Sequence, residues 1–184
     1  MSCAENNSEL PGQGLVTIFT GDGRGKTTAA IGTAVRAAGH GLRVFIVFFM
    51  KGSMFPHGEA QALTGFPGIT VASFGQKGWV KKGENNPEAR EQALKALAAG
   101  RQAVLSGNYD LVVLDEVNGA VESGLIQLED VTRLINDKPR AVDLILTGRQ
   151  ANPRLLEMAD TVTEMRLVKH PFNRGIKARR GIDY

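Results

Sequence analysis

Between its first apolar run and a helix-like stretch the chain reads Thr20-Gly21-Asp22-Gly23-Arg24-Gly25-Lys26-Thr27-Thr28. These residue types at this spacing are suited to holding phosphate. Glycines let backbone N–H groups converge on phosphate oxygens, since no Cβ keeps the anion away. Lys26 supplies a mobile cation, the Thr27 hydroxyl can ligate magnesium, and a helix starting here adds its positive end. Thr20 stands where the common phosphate-loop pattern has its first glycine, so the match is to a variant. A second constellation is Asp110-Leu-Val-Val-Leu-Asp115-Glu116, an apolar run ending in two acids. Such a strand delivers carboxylates beside a phosphate loop, where they hold magnesium or orient its waters. If extended geometry continues, Asp115 and Glu116 point to opposite sides, so one of the two is structural.

The elements that must position these residues follow from hydrophobic patterning. Leu15 to Phe19, Val44 to Phe49, Ile69 to Phe74, Leu111 to Leu114 and Val142 to Leu146 read as buried strands, and Thr161 to Val168 as a last one. Thr27 to Ala38 is a helix with Ala30, Ile31, Ala34, Val35 and Ala38 on one face, and another lies near Leu128 to Ile135. Asn86 can cap a long helix from Pro87 to about Ser106, with Glu88 and Glu91 complementing its dipole. Continuous apolar strands alternating with helices predict an α/β fold, a mostly parallel sheet flanked by helices on both faces. Ligands of such sheets bind beyond the carboxyl ends of the strands, where both constellations fall.

Length and composition narrow the possibilities. The 184 residues suit one domain, read as residues 14–184 after a flexible leader at 1–13. With 42% hydrophobic and 22% charged residues, disorder and coiled coil are excluded as the main architecture. The single cysteine, Cys3, permits no internal disulfide, and with three histidines it makes no Cys/His zinc site. A reducing compartment, the cytoplasm, is expected. The longest apolar run, Val44 to Met50, lies between Arg43 and Lys51 and is far short of the ~18 residues of a membrane span. Charge is polarised: from Arg166 onward there are six basic residues and one acid, while the remainder is net acidic. Without a second basic patch or an aromatic stacking platform, this tail reads as a wall of an anion site rather than a nucleic-acid arm.

Up to this point the residues define a magnesium-nucleotide protein and leave kinase, hydrolase, motor and ligase chemistry open. Further motifs are less generic. Gly21-Asp-Gly-Arg-Gly-Lys-Thr-Thr-Ala-Ala30, Tyr109-Asp-Leu-Val-Val-Leu-Asp-Glu-Val117, Leu146-Thr-Gly-Arg149, Ala159-Asp-Thr-Val-Thr-Glu-Met165 and the tail Lys169-His-Pro-Phe-Asn-Arg-Gly-Ile-Lys-Ala-Arg-Arg-Gly-Ile-Asp-Tyr184 occur in order. Together they resemble the P-loop-type ATP:corrinoid adenosyltransferases over about residues 14–184.

The resemblance implies a RecA-like P-loop fold and transfer of the 5′-deoxyadenosyl group of ATP to cobalt(I) of a corrinoid, cob(I)alamin or cob(I)yrinic acid a,c-diamide. Triphosphate leaves, in cobalamin synthesis or salvage. Cobalt(I) is itself the nucleophile, which agrees with the lack of an activated Ser, Cys or His in the sequence. Carried over, Gly21, Asp22, Gly23, Arg24, Gly25, Lys26, Thr27 and Thr28 cradle the triphosphate, and ATP is expected to lie reversed relative to ordinary NTPases. Lys26, Thr27 and Glu116 serve the chemistry, and Thr27, Asp115 and Glu116 the Mg2+. Arg149 contacts nucleotide, and Lys169, His170, Arg174, Lys177 and Arg179 complete the anionic pocket.

Many relatives have Asn at the position of Asp22 and Lys at that of Arg24, and an acid in a phosphate loop must face away from phosphate or serve the metal. The segment around Trp79 loosely matches a Gly-Phe-Thr-Trp segment that approaches the corrinoid, so Trp79 is expected to cover the ring. Phe55 and His57 lie on the ligand side, His57 as a polar contact at most. A homodimer and a flavoprotein reductase are further implications of the resemblance. A RecA-like ATPase or kinase acting on another substrate is the alternative.

Overall fold

A computed structural model of the chain describes residues 12–51, 58–76 and 86–182. Most of the expected leader, together with Cys3, Phe55, His57 and Trp79, lies outside the described residues. Six parallel strands form one sheet: β1 (Val16–Thr20), β2 (Val44–Phe48), β3 (Ile69–Ser73), β4 (Leu111–Asp115), β5 (Asp143–Thr147) and β6 (Thr161–Glu164). Their order is β3-β2-β4-β5-β1-β6. The helices are α1 (Lys26–Gly39), α2 (Gly58–Leu63), α3 (Pro87–Leu105), α4 (Val117–Glu122), α5 (Leu128–Asp137) and α6 (Pro153–Met158).

The strand sequences are apolar throughout because both faces of the sheet are covered. In β4, Leu111 and Val113 pack with Ala30 and Ala34 of α1 and Leu63 of α2. Val112 and Leu114 join the other core, with Ala93 and Ala96 of α3 and Val131 and Leu134 of α5. Alternation thus assigns successive residues to opposite layers, and an acid at the end of β4 inherits the face of its strand parity. The α3 helix begins as the sequence predicts: Asn86 accepts the amide of Ala89 at 3.0 Å, with Pro87 in the first turn. Such a cap contributes about 1 kcal/mol.

Two expectations are corrected. The last strand ends at Glu164 rather than Val168, because its partner among the described residues, β1, ends at Thr20 and turns into the phosphate loop. All four residues of β6 are exposed, so this edge strand is not covered on both faces. The helices α2, α4 and α6 were not expected. Each has six residues, too few turns to display a helical period.

Candidate functional site

Beyond the carboxyl end of β1, the loop 21–25 turns sharply through Gly21 (φ 96°) and Gly25 (φ 112°), and Lys26 opens α1. Its glycines are required by close approach as well as by conformation. A Cβ at Gly23 would stand 2.7 Å from the carbonyl oxygen of Met165 and 2.8 Å from the carbonyl carbon of Arg166. The Gly23 amide donates to that Met165 carbonyl at 2.6 Å, so the segment after β6 backs the loop. Lys26 is buried, and its ammonium donates to the carbonyls of Gly21 and Gly23 at 2.7 and 2.8 Å. Burial lowers the affinity of this amine for its proton, and the nearby Glu116 carboxylate opposes that effect. Thr20 explains itself structurally: its hydroxyl accepts the amide of Ala151 at 3.1 Å, tying the start of the loop to the segment after β5.

The acids approach from β4, with β5 lying between β4 and β1. Asp115 is 1% exposed. Its Oδ1 accepts the Thr147 hydroxyl at 2.6 Å and its Oδ2 accepts the Lys51 ammonium at 2.6 Å. Glu116 does not continue the strand to the opposite side. It adopts the left-handed conformation (φ 65°, ψ 18°) and turns the chain into α4. Burial raises the carboxyl above the usual glutamate value, helped by Asp115 and opposed by Lys51, Lys26 and Arg149. Those three cations and the two acids therefore share one electrostatic environment. Among the described residues, three non-glycine residues have positive φ: Met50, Glu116 and Gln150, which follow β2, β4 and β5. Such strain gathers where chain geometry serves a site.

The remaining expected residues differ in exposure. Asp22, Arg24, Thr28 and Arg149 are exposed, and Thr27 is half-buried in the first turn of α1. The Arg24 guanidinium donates to the carbonyl of Ile182 at 2.8 Å, which brings the end of the tail back to the phosphate loop. Lys169, Arg174, Lys177 and Arg179 are exposed and His170 is half-buried, around a short 3-10 turn at Pro171–Arg174. Sequence reasoning missed Lys51, Thr147 and Asn118. Lys51 had a signal, a basic residue directly after an apolar strand run. Asn118, 1% exposed in α4, has neither amide atom paired among the described residues.

A parallel sheet with a glycine-rich loop between its β1 strand and α1, and acids ending β4, defines a P-loop nucleotide-binding protein. The KaiC-like protein PH0186 from Pyrococcus horikoshii OT3 shares the fold. It superposes with a TM-score of 0.55 over 86% of this chain and 75% of that one, at 18% identity. The narrower relationship comes from sequence. Residues 12–184 match the model of the family described as ATP:corrinoid adenosyltransferase BtuR/CobO/CobP, and the chain belongs to that family. The corrinoid adenosyltransferase of Escherichia coli (strain K12) is 38% identical over 172 residues, 94% of this chain and 86% of the relative. Corrinoid adenosyltransferase CobA of Salmonella typhimurium (strain LT2) matches with the same identity and coverage. No described helix is long and apolar enough to cross a membrane.

Proposed function

We propose that the protein transfers the 5′-deoxyadenosyl group of ATP to the cobalt(I) of a corrinoid and releases inorganic triphosphate. The observation that carries this reading is the packing of the family-specific end of the chain onto the phosphate loop, through Gly23 to Met165 and Arg24 to Ile182. Cobalt(I) attacks C5′, the C5′–O bond breaks, and its electron pair leaves with the triphosphate. The protein needs no nucleophile of its own. Its task is alignment and stabilisation of the charge that develops on the leaving group.

In this reading the amides of residues 25–28 and the Lys26 ammonium hold the triphosphate, and Arg149 adds positive charge beside it. The Thr27 hydroxyl and the Glu116 carboxylate are hard oxygen donors that suit Mg2+. No group of three or more His, Cys, Asp or Glu residues gathers among the described residues, which fits a metal shared between few protein ligands and substrate phosphates better than an all-protein cage. Magnesium, when bound, would neutralise charge on the triphosphate. Asp115 has both carboxylate oxygens engaged, so Glu116 is the better metal donor of the pair. Asp22 is exposed and Arg24 reaches the tail, so neither is assigned a phosphate contact. Lys169, His170, Arg174, Lys177 and Arg179 are proposed as the basic wall of the pocket, and Trp79 as the residue that covers the corrinoid.

By the resemblance to its family we also infer a homodimer, a flavoprotein that supplies cobalt(I), and action in the cytoplasm, the last supported by the single cysteine. Product analysis tests the central reading. ATP, magnesium and chemically reduced corrinoid, mixed anaerobically with the protein, should yield triphosphate and adenosylated corrinoid in one-to-one ratio. ADP formed at catalytic rates without corrinoid, and no adenosylated product, would instead establish an ATPase or kinase.

A further inference from the structure

Lys51 follows β2 and lies 12% exposed, its backbone amide bonded to the Phe74 carbonyl at 3.0 Å and its ammonium 4.5 Å from the centre of the Phe48 ring. The ammonium donates to Asp115 Oδ2 at 2.6 Å. On the other side of Asp115, the buried Thr147 hydroxyl bonds Oδ1 at 2.6 Å and also receives the Glu116 amide at 2.9 Å. The direction of these bonds is fixed by chemistry. A carboxylate only accepts, so the Thr147 proton goes to Asp115 and a hydroxyl lone pair is left for the Glu116 N–H. The chain of contacts runs Lys51, Asp115, Thr147, Glu116, and crosses from β2 through β4 to β5.

We propose that Lys51 is a positioning residue for the metal side of the site. It holds Asp115 as a strut, and through Thr147 it fixes the left-handed turn at Glu116 and with it the placement of the Glu116 carboxylate. This rests on the reading of Glu116 as a metal donor. A left-handed turn is unfavourable at a residue other than glycine, and the hydrogen bond from the Glu116 N–H to the Thr147 hydroxyl offsets that cost only while Asp115 orients the hydroxyl. Lys51 also cancels the Asp115 charge, which would otherwise repel an anionic leaving group.

The test is a titration of each folded variant with Mn2+ in the presence of ATP, followed by electron paramagnetic resonance, beside steady-state assays. Lys51→Met and Thr147→Val should each weaken Mn2+ binding about tenfold or more, and lower kcat more than they change the KM for corrinoid. Lys51→Arg and Thr147→Ser keep the charge and the hydroxyl, and should stay within about threefold of the parent. Unchanged Mn2+ affinity in Lys51→Met overturns the assignment. If that variant does not fold, equal affinities in Thr147→Val and Thr147→Ser overturn it. The metal titration needs no corrinoid, so failure of the parent protein to adenosylate a corrinoid would count against the proposed function alone.

Discussion

The amide of Gly23 and the carbonyl of Met165 meet at 2.6 Å, joining the phosphate loop to the first residue beyond β6. The approach leaves no room for a side chain, since a Cβ at Gly23 would meet main-chain atoms of residues 165 and 166 inside 3 Å. Backbone cannot swing aside as a side chain can. Gly23→Ala should therefore cost about 1–3 kcal/mol of stability and weaken ATP binding. Thermal unfolding and nucleotide titration of the variant measure both effects, and an alanine tolerated with parental ATP affinity would contradict this account of the loop.

Lys26→Ala removes the ammonium that lies over the Gly21 and Gly23 carbonyls. Loss of one charge-assisted contact to the leaving group should reduce kcat/KM by about 2–4 kcal/mol of transition-state stabilisation. The fold should survive, because the side chain makes no contribution to the apolar core. Circular dichroism alongside steady-state kinetics checks the pair of statements, and parental turnover in a folded variant would remove Lys26 from the chemistry.

The two acids are separated by their partners. Glu116→Gln should raise the magnesium concentration for half-maximal rate by about tenfold or more, and Asp115→Asn should raise it less, acting through orientation. A metal titration in which Asp115→Asn has the larger effect would reverse the roles assigned here.

Burial of Glu116 also predicts a pH dependence of stability. Its carboxyl is raised in the folded protein, so between the ordinary glutamate value and the raised one the folded state binds more protons than the unfolded state. Stability then falls as pH rises through that window, and the cost is complete above it. Glu116→Gln removes the ionisable group. In metal-free buffer it should unfold at higher temperature than the parent near neutral pH, with the advantage shrinking to nothing below the ordinary glutamate range. A constant difference across pH would mean that the buried charge is not its source.

The sequence by itself determined the layers and the chemistry that local order encodes. Buried strand runs such as Val44 to Phe49 and Leu111 to Leu114 are apolar at every position because both faces are covered, and that is readable without coordinates. The same holds for the Asn86 cap and for the glycine-rich loop before Lys26, whose parts are contiguous in the chain. Tertiary structure decided the rest. Strand order is set by crossovers, so the insertion of β5 between β1 and β4 had no local signature. It is this insertion that brings Thr147 to Asp115 from 32 residues away, while Lys51 arrives from 64. The turn at Glu116 was invisible for the same reason: local preference opposes a left-handed glutamate, and the hydrogen bond that favours it comes from another strand. The tail shows the complementary limit. Its motif was legible, but its contact with the loop through Ile182 and Arg24 spans 158 residues and exists only in the folded chain.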